Sequence, residues 1–437
     1  MSEISARIES LDREARGVTH VEGKAIFVDG ALPGEDVEYS PYRRKGSYEL
    51  AQLLRVKSPS PSRVEPHCRW FGHCGGCSLQ HMEFRAQVAA KQRILEDAFW
   101  HIARIRPERM MSPIYGEPWR YRHRARMSVR LVRKKGGVLV GFHERRSSFV
   151  ADMTSCEVMP ERISDLIPKL RSLVGNLSIC ERLPQVEVAI GERVTVLVLR
   201  VLEPPSEQDK VLLKAFSEEV GVQFWLQPVG PETAVPFWPL DAPPLDYTLP
   251  EFDVSIAFRP TDFTQVNHAV NRMLVRRALG LLDPASGERV LDLFCGLGNF
   301  TLPIARRGAR VHGVEGSPEL VQRAVHNAGR NALEGRCSFE AANLFDEAAV
   351  ERVMALAGAI DKALIDPPRE GAMEVVKRLS VATGTRRIVY VSCDPGTLAR
   401  DAGVLVGTQG YTLRAAGIVN MFPQTSHVES IALFEAA

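Results

Sequence analysis

The sequence predicts an α/β protein in three parts: a doubly wound, mostly parallel sheet over residues 261–437, a small β-barrel over 1–57, and a central α+β region over 58–260. Three observations carry this expectation. From Asn267 onward, short apolar strands alternate with helices; residues 1–56 fall into short strands broken by turns; and Ser58-Pro59-Ser60-Pro61-Ser62 reads as a linker after them. A chain of 437 residues is also too long for one ordinary domain.

The strands expected in the first part are 17–20, 24–30, 36–39 and 49–56. Residues 82–105 have helical periodicity, with Phe84, Val88, Ile94, Leu95, Ala98 and Phe99 on an apolar face. Between 119 and 260 the pattern is mixed, with strand-like 194–201 and 222–228 and Pro-rich connections at 203–205 and 231–250. The last part predicts helix 268–282, strand 289–293, helix 299–307, strand 310–315, helix 318–332 and strands 337–341 and 361–366. Helix 371–382, strand 387–392, helix 395–406 and a β pair near 411–418 and 428–434 complete it. There is no internal repeat.

Hydrophobic content of 45% and charged content of 25% belong to a soluble globular protein. No apolar run reaches the roughly 20 residues that cross a bilayer, and the start MSEISARIESLDREARG has acids where a signal peptide carries its apolar core. A cytosolic location is expected. Eight cysteines are too sparse for a disulfide scaffold, so Cys68, Cys74 and Cys77 read as ligands of a soft metal centre. Zinc and an iron–sulfur cluster are both open on chemistry, although a five-residue gap followed by a two-residue gap is unusual for zinc.

The net charge of +2 hides an asymmetry: residues 101–150 hold thirteen Lys or Arg against three Glu, a local +10. Arg120, Arg122, Arg124 and Arg126 alternate, with Trp119 and Tyr121 interleaved. In an extended strand that spacing aligns the arginines on one face, which suits a nucleic-acid backbone better than a merely solvated surface.

Asp292-Leu293-Phe294-Cys295-Gly296-Leu297-Gly298-Asn299 places glycines where the first strand of the α/β part meets a helix, so backbone can approach a ligand closely there. The third glycine of a dinucleotide fingerprint is replaced by Thr301. Glu315 ends the next strand, where a carboxylate can hold both hydroxyls of a ribose; Asn343 ends the third, and Asp366-Pro367-Pro368-Arg369 follows the fourth. This series resembles the Rossmann-like class I S-adenosylmethionine-dependent methyltransferases rather than a nicotinamide enzyme.

Strand 387–392 delivers Cys393 to the same edge, beside a helix start whose dipole and amides can stabilise a thiolate. Cys180, Cys295 and Cys337 are expected to be small buried hydrophobes. A thiolate suits methylation of a pyrimidine. Addition at carbon 6 makes carbon 5 nucleophilic, and after methyl transfer a base must remove the carbon-5 proton so that the thiolate can leave. Glu429, at the start of the last strand, is the candidate base.

Phe263-Thr264-Gln265-Val266-Asn267, DLFCGLGNFT, Asp366-Pro367-Pro368-Arg369, Ser392-Cys393-Asp394-Pro395 and Phe422-Pro423-Gln424-Thr425-Ser426-His427-Val428-Glu429 together resemble the RNA 5-methyluridine methyltransferase family. The resemblance implies Cys393 as nucleophile and Glu429 as base, with Gln265, Phe294, Asn299, Glu315, Asn343 and Asp366 lining the S-adenosylmethionine and target-base pocket. Residues 1–56 resemble a TRAM domain, an OB-like RNA-binding barrel, through Gly17-Val18 and Gly30-Ala31-Leu32-Pro33-Gly34-Glu35. The cysteine motif, continued as Gly75-Gly76-Cys77-Ser78-Leu79-Gln80-His81, resembles that of large-subunit rRNA enzymes. It implies a [4Fe-4S] cluster on Cys68, Cys74, Cys77 and Cys156, with a structural rather than electron-transfer role.

Members acting on tRNA typically lack barrel and cluster, and a second rRNA enzyme has only the cluster. The pair together therefore implies 23S rRNA as partner, at uridine 1939 in conventional rRNA numbering, with a monomeric protein and no DNA or membrane partner. The alternatives are another rRNA uridine, a tRNA, or an inactive RNA-binding assembly factor; the presence of both Cys393 and Glu429 argues against the last.

Overall fold

The computed structural model describes residues 4–437. In the first part, a six-stranded sheet runs in spatial order Ile4–Arg7, Asp36–Arg44, Tyr48–Ser58, Lys24–Asp29, Arg16–Val21 and Ser10–Leu11. Its two edges are tied by consecutive residues: the Ile8 amide donates to the Glu35 carbonyl and the Glu9 amide to the Val18 carbonyl, each at 2.8 Å. Ile8, Ile26, Val28, Val37, Tyr39 and Ala51 fill the interior. A Cβ on Gly17 would stand 2.8 Å from Ile8 Cγ2, so the close approach of those strands requires glycine there.

The segment expected to be a linker is instead a clamp. Ser60 is buried, and Arg63 turns back so that Nε lies 2.5 Å from Glu35 Oε1 and Nη2 lies 2.8 Å from Oε2. The Glu35 carboxylate is wholly buried and also accepts the amides of Leu32 and Ser60. A fork of two charge-assisted bonds in a dry site resists bending.

Helix Phe84–Ala98 continues as a π-helical turn, Phe99–Ala103, and ends at Arg104 in the left-handed region with φ 56°. Its apolar face, Val88, Leu95 and Phe99, packs in the core of the C-terminal sheet. The central sheet runs Gly137–Gly141, Arg124–Val132, Gln185–Ile190, Thr195–Arg200, Gln223–Gln227 and Val235–Trp238. Helices Leu166–Gly175 and Glu207–Val220 pack with it in one apolar core, the second started by a reciprocal Ser206/Asp209 cap.

The expected arginine stripe does not form. The strand starts only at Arg124, because Arg120 is left-handed at φ 56° and turns the preceding chain. Arg120 then pairs with Glu161, Arg124 donates to the Pro260 carbonyl, and Arg126 pairs with Glu187, all at 2.7 Å. Arg122 lies over the Phe422 ring at 5.9 Å. These guanidiniums thus have four separate partners rather than forming one continuous strand face, and those of Arg120 and Arg126 remain more than half exposed.

The C-terminal sheet has eight strands, in order Cys337–Ala341, Arg310–Glu315, Arg289–Leu293, Lys362–Ile365, Arg387–Ser392, Glu429–Ala436, Tyr411–Val419 and Arg109–Met110. The first five are parallel, as their helical crossovers require, while Glu429–Ala436 is antiparallel to both neighbours. The edge strand from residues 109–110 belongs to the central stretch of chain, which sequence reasoning did not foresee. Helix 268–282 forms as predicted, but 371–382 does not: only Met373–Val376 is α-helical, followed by a 3₁₀ turn at Val381–Thr383. The hairpin Asp246–Leu249 and Val254–Ala257 shares its core with this sheet although it precedes residue 261.

Replacing Arg63 with Met leaves the buried Glu35 carboxylate uncompensated. The expected cost is about 3 kcal/mol, localised to the first part. Hydrogen exchange showing no loss of protection in strands 24–29 and 36–44 would refute the clamp.

Candidate active site and cysteine cavity

The parallel strands end on one edge, and there a cavity of ≈ 630 Å³ opens. The chain leaves strand Arg289–Leu293 through Phe294, at φ 63°, and Gly296 and Gly298, at φ 53° and 92°. The left-handed turns bring backbone rather than side chains to the cavity floor. Glu315 reaches across, Oε2 accepting the Gly296 amide and Oε1 the Ser317 amide, both at 3.1 Å. Phe294 and Phe345 meet in a tilted contact with ring centroids 5.7 Å apart. Asn299 is less free than expected: its amide oxygen accepts from Tyr247 and Asn271 at 2.9 Å, and its nitrogen donates back to Asn271.

Cys393 leaves the end of strand Arg387–Ser392. The helix that follows, Pro395–Gly407, does not lend its amides to the thiol. Asp394 caps it, accepting from Gly396 and Thr397 at 2.8 and 3.1 Å. Burial, with Glu429 and Asp366 close by, pushes the Cys393 thiol up to about 11, opposed by Arg369. Burial and the neighbouring acids thus oppose the helix-stabilised thiolate expected from the sequence.

Glu429 begins the last strand and is wholly desolvated. Burial and the neighbouring Asp366 raise it to about 8, against the pull of Lys91. Its Oε2 is buried without a hydrogen-bond partner. Burial alone raises Asp366 to about 7. Asp292, behind the glycine turn, is raised equally by burial, although Thr301 Oγ1 donates to it at 2.5 Å. Arg369 meets His427 Nδ1 at 3.1 Å, and His427 tilts over Phe422. The cavity thus gathers proton-holding acids in a low-dielectric wall, the condition under which like charges raise one another's pKa. All eight residues expected from the sequence, Gln265, Phe294, Asn299, Glu315, Asn343, Asp366, Cys393 and Glu429, line this one cavity.

What sequence reasoning missed is the support behind Glu429. Residues 420–428 return the chain into the last strand and are held from three directions. Ser78 and Leu79 amides donate to the Gln424 carbonyl at 2.9 and 3.0 Å, Gln87 exchanges bonds with the Gln424 side chain and amide, and Tyr121 Oη donates to the Pro423 carbonyl at 2.8 Å. Lys91 holds Asn420 and the Phe422 carbonyl.

A second cavity, of ≈ 140 Å³, is lined by Cys68, Cys74, Cys77 and Cys156 together with Arg122 and aromatic walls. The loop fits tightly because Gly75 lies against the backbone of 143–145, where a Cβ would meet the His143 carbonyl at 3.1 Å. The Gly76 amide points at Cys74 Sγ at 3.4 Å, and Gln80 accepts from the Cys68 amide. Burial raises Cys77 to about 11 and Cys156 to about 12. Among the described residues, no three His, Cys, Asp or Glu are gathered as ligands of one ion. Of the other cysteines, Cys295 is buried, while Cys180 and Cys337 are only partly so.

A parallel five-stranded sheet with its cavity at the carboxyl edge and an acid ending the second strand defines a class I methyltransferase. Residues 83–437 match the tRNA (uracil-5-)-methyltransferase family model, and the chain belongs to that family. It is 63% identical over 431 residues to the 23S rRNA (uracil(1939)-C(5))-methyltransferase RlmD of Nitrosospira multiformis, covering 98% of each chain. To the enzyme of the same name from Aromatoleum aromaticum it is 61% identical, over 98% of this chain and 99% of the relative. The Pyrococcus abyssi tRNA (uracil-54, C5)-methyltransferase, solved with S-adenosyl-L-homocysteine, shares the fold at TM-score 0.74 and 22% identity, over 99% of this chain and 100% of that one.

With a thiol near 11, about one Cys393 in a thousand is ionised at pH 8 in the free protein. Iodoacetamide labelling of Cys393, followed by mass spectrometry, should be slow at pH 7 and climb about tenfold per pH unit. Labelling that levels off below pH 8 would contradict this environment.

Proposed function

We propose that the protein transfers a methyl group from S-adenosylmethionine to carbon 5 of a uridine in 23S rRNA, the uridine 1939 named for its relatives. The observation carrying this reading is the meeting of Cys393 and Glu429 in one cavity with the six residues expected to hold cofactor and base. Bound there, S-adenosylmethionine would supply an electrophilic methyl and a positive sulfonium. Glu315 would take the ribose hydroxyls, Phe294 and Phe345 would offer an aromatic wall, and Asp366, Asn343 and Gln265 would complete the polar lining. A cation entering among Cys393, Glu429 and Asp366 would favour their charged forms and ease ionisation of the thiol.

Cys393 Sγ then adds to carbon 6 of the uracil and carbon 5 becomes the nucleophile. After methylation, Glu429 takes the carbon-5 proton, its electrons re-form the ring double bond, and the carbon 6–sulfur bond breaks to return Cys393. The uridine must be flipped out of any stacked context to reach this cavity. Reduced thiols and an rRNA substrate both fit the cytosol, and no helix of the described residues is long and apolar enough to cross a membrane.

The cysteine cavity supports a [4Fe-4S] cluster on Cys68, Cys74, Cys77 and Cys156. Those four cysteines line one cavity, and their five-then-two spacing is unusual for zinc. Its ligands must lose protons that burial otherwise holds, so assembly would strengthen as pH rises. The first part is read as a TRAM-type OB-like barrel that adds RNA contacts.

Glu429→Gln is expected to accumulate a covalent RNA–protein adduct on denaturing gels, and Cys393→Ala to form none; an adduct persisting in Cys393→Ala would eliminate the nucleophile. Transfer of labelled methyl to 23S rRNA but not tRNA is expected, and labelling of tRNA alone would remove the substrate while leaving the chemistry. Protein purified without oxygen should absorb in the visible; a colourless protein with stoichiometric zinc would sink the cluster.

A further inference from the structure

Arg104 and Arg106 open the basic segment 101–150 and have no acid to themselves. The acids that flank them in sequence, Asp97 and Glu108, are taken by Arg93 and Arg414 at 2.9 and 2.7 Å, and among the described residues neither arginine has an ion-pair partner. Both lie on Trp100 instead: the Arg106 guanidinium carbon is 4.6 Å from the ring centroid and that of Arg104 is 5.5 Å from it. An aromatic face fixes a guanidinium without neutralising it, so the fork of donors stays charged and open to a phosphate.

The local fold makes this arrangement. After helix Phe84–Ala98 the chain widens into the π turn Phe99–Ala103, which buries Phe99 and leaves Trp100 40% and Ile102 53% exposed; Arg104, left-handed, ends it. Arg104 and Arg106 are exposed as well. Single π turns are rare and gather at functional sites. The turn is seated on the element that follows Cys393. Ile102 Cδ1 stands 3.7 Å from the point a Cβ on Gly396 would take, and Ala103 Cβ stands 3.3 Å from that on Gly403, both glycines of helix Pro395–Gly407. Gly396 is three residues from Cys393, so the exposed cations are carried on the same support as the proposed nucleophile.

We propose that Trp100, Arg104 and Arg106 form a phosphate clamp for the RNA strand flanking the target uridine: Trp100 holds the two guanidiniums in place and they take backbone phosphates. This rests on the reading of RNA as substrate. A base flipped out toward Cys393 leaves its flanking backbone to be held, and phosphate contacts set the position of a strand without reading its sequence. An acidic protein surface is the competing occupant, disfavoured because the patch adjoins the turn that a bound strand must already reach.

The test is binding of the full-length protein to a 23S rRNA fragment containing the target uridine, titrated over a range of salt concentrations. Arg104→Gln/Arg106→Gln is expected to weaken binding about tenfold at 0.1 M salt and to flatten the slope of log affinity against log salt by about 1.4, as two lost single-strand phosphate contacts require. Arg104→Lys/Arg106→Lys should restore the slope. Trp100→Leu, which keeps both charges and frees them, should weaken binding about threefold with the slope in place. Arg93→Gln removes a cation of the preceding helix that already has an acid, and should leave both quantities unchanged. Unchanged affinity and slope in folded Arg104→Gln/Arg106→Gln, as a protein-docking role would give, or an equal loss in Arg93→Gln, would overturn the proposal. Failure of the wild-type protein to bind the fragment would instead remove the RNA substrate itself, a separate failure.

Discussion

The Gln424 carbonyl is the joint on which the molecule's working geometry depends. It receives two backbone amides, those of Ser78 and Leu79, from the stretch just after the third cysteine of the small cavity. The residue is left-handed at φ 67°, and its side chain is answered by Gln87. Central-region loop, long helix and C-terminal sheet therefore meet within one residue of the return that positions Glu429. Buried backbone groups have no water to fall back on, so displacing any partner leaves a donor or acceptor unsatisfied. The cysteine cavity and the methyl-transfer cavity are in this sense one framework. Arg122 reinforces it, forming part of the cysteine wall while lying over Phe422.

A second consequence concerns charge. The large cavity keeps three proton-holding groups, Cys393, Glu429 and Asp366, in surroundings that favour their neutral forms. Such surroundings favour the thiol form of Cys393, the proposed nucleophile. A positive partner in the same space would favour ionisation of all three groups.

Most of the cavity was legible because strand ends in a doubly wound sheet fall on one edge. Once strands 289–293, 310–315, 337–341, 361–366 and 387–392 were read, Glu315, Asn343, Asp366 and Cys393 had to converge. Features set by tertiary partners were not legible. Alternating arginines at 120–126 imitate a strand, but a left-handed Arg120 breaks the period. The state of Cys393 depends on Asp394 taking the helix amides and on Glu429, thirty-six residues on, standing beside it. The 160–250 stretch was obscure because its strands pair mostly among themselves and its prolines sit in connections. A signal for Gln87 and Lys91 did exist: they fall four apart with Leu95 on the buried stripe of an amphipathic helix. Polar residues on such a stripe point to a partner that only the folded chain reveals.

Strand Glu429–Ala436 is wedged between Arg387–Ser392 and Tyr411–Val419, pairing with both. During synthesis the five parallel strands emerge first, and Tyr411–Val419 can only wait at a distance for the piece that joins it to them. Glu429, the proposed base, is the first residue of that piece. Without residues 429–436 the sheet would have a gap between Arg387–Ser392 and Tyr411–Val419, and the proposed nucleophile would lack its proposed base.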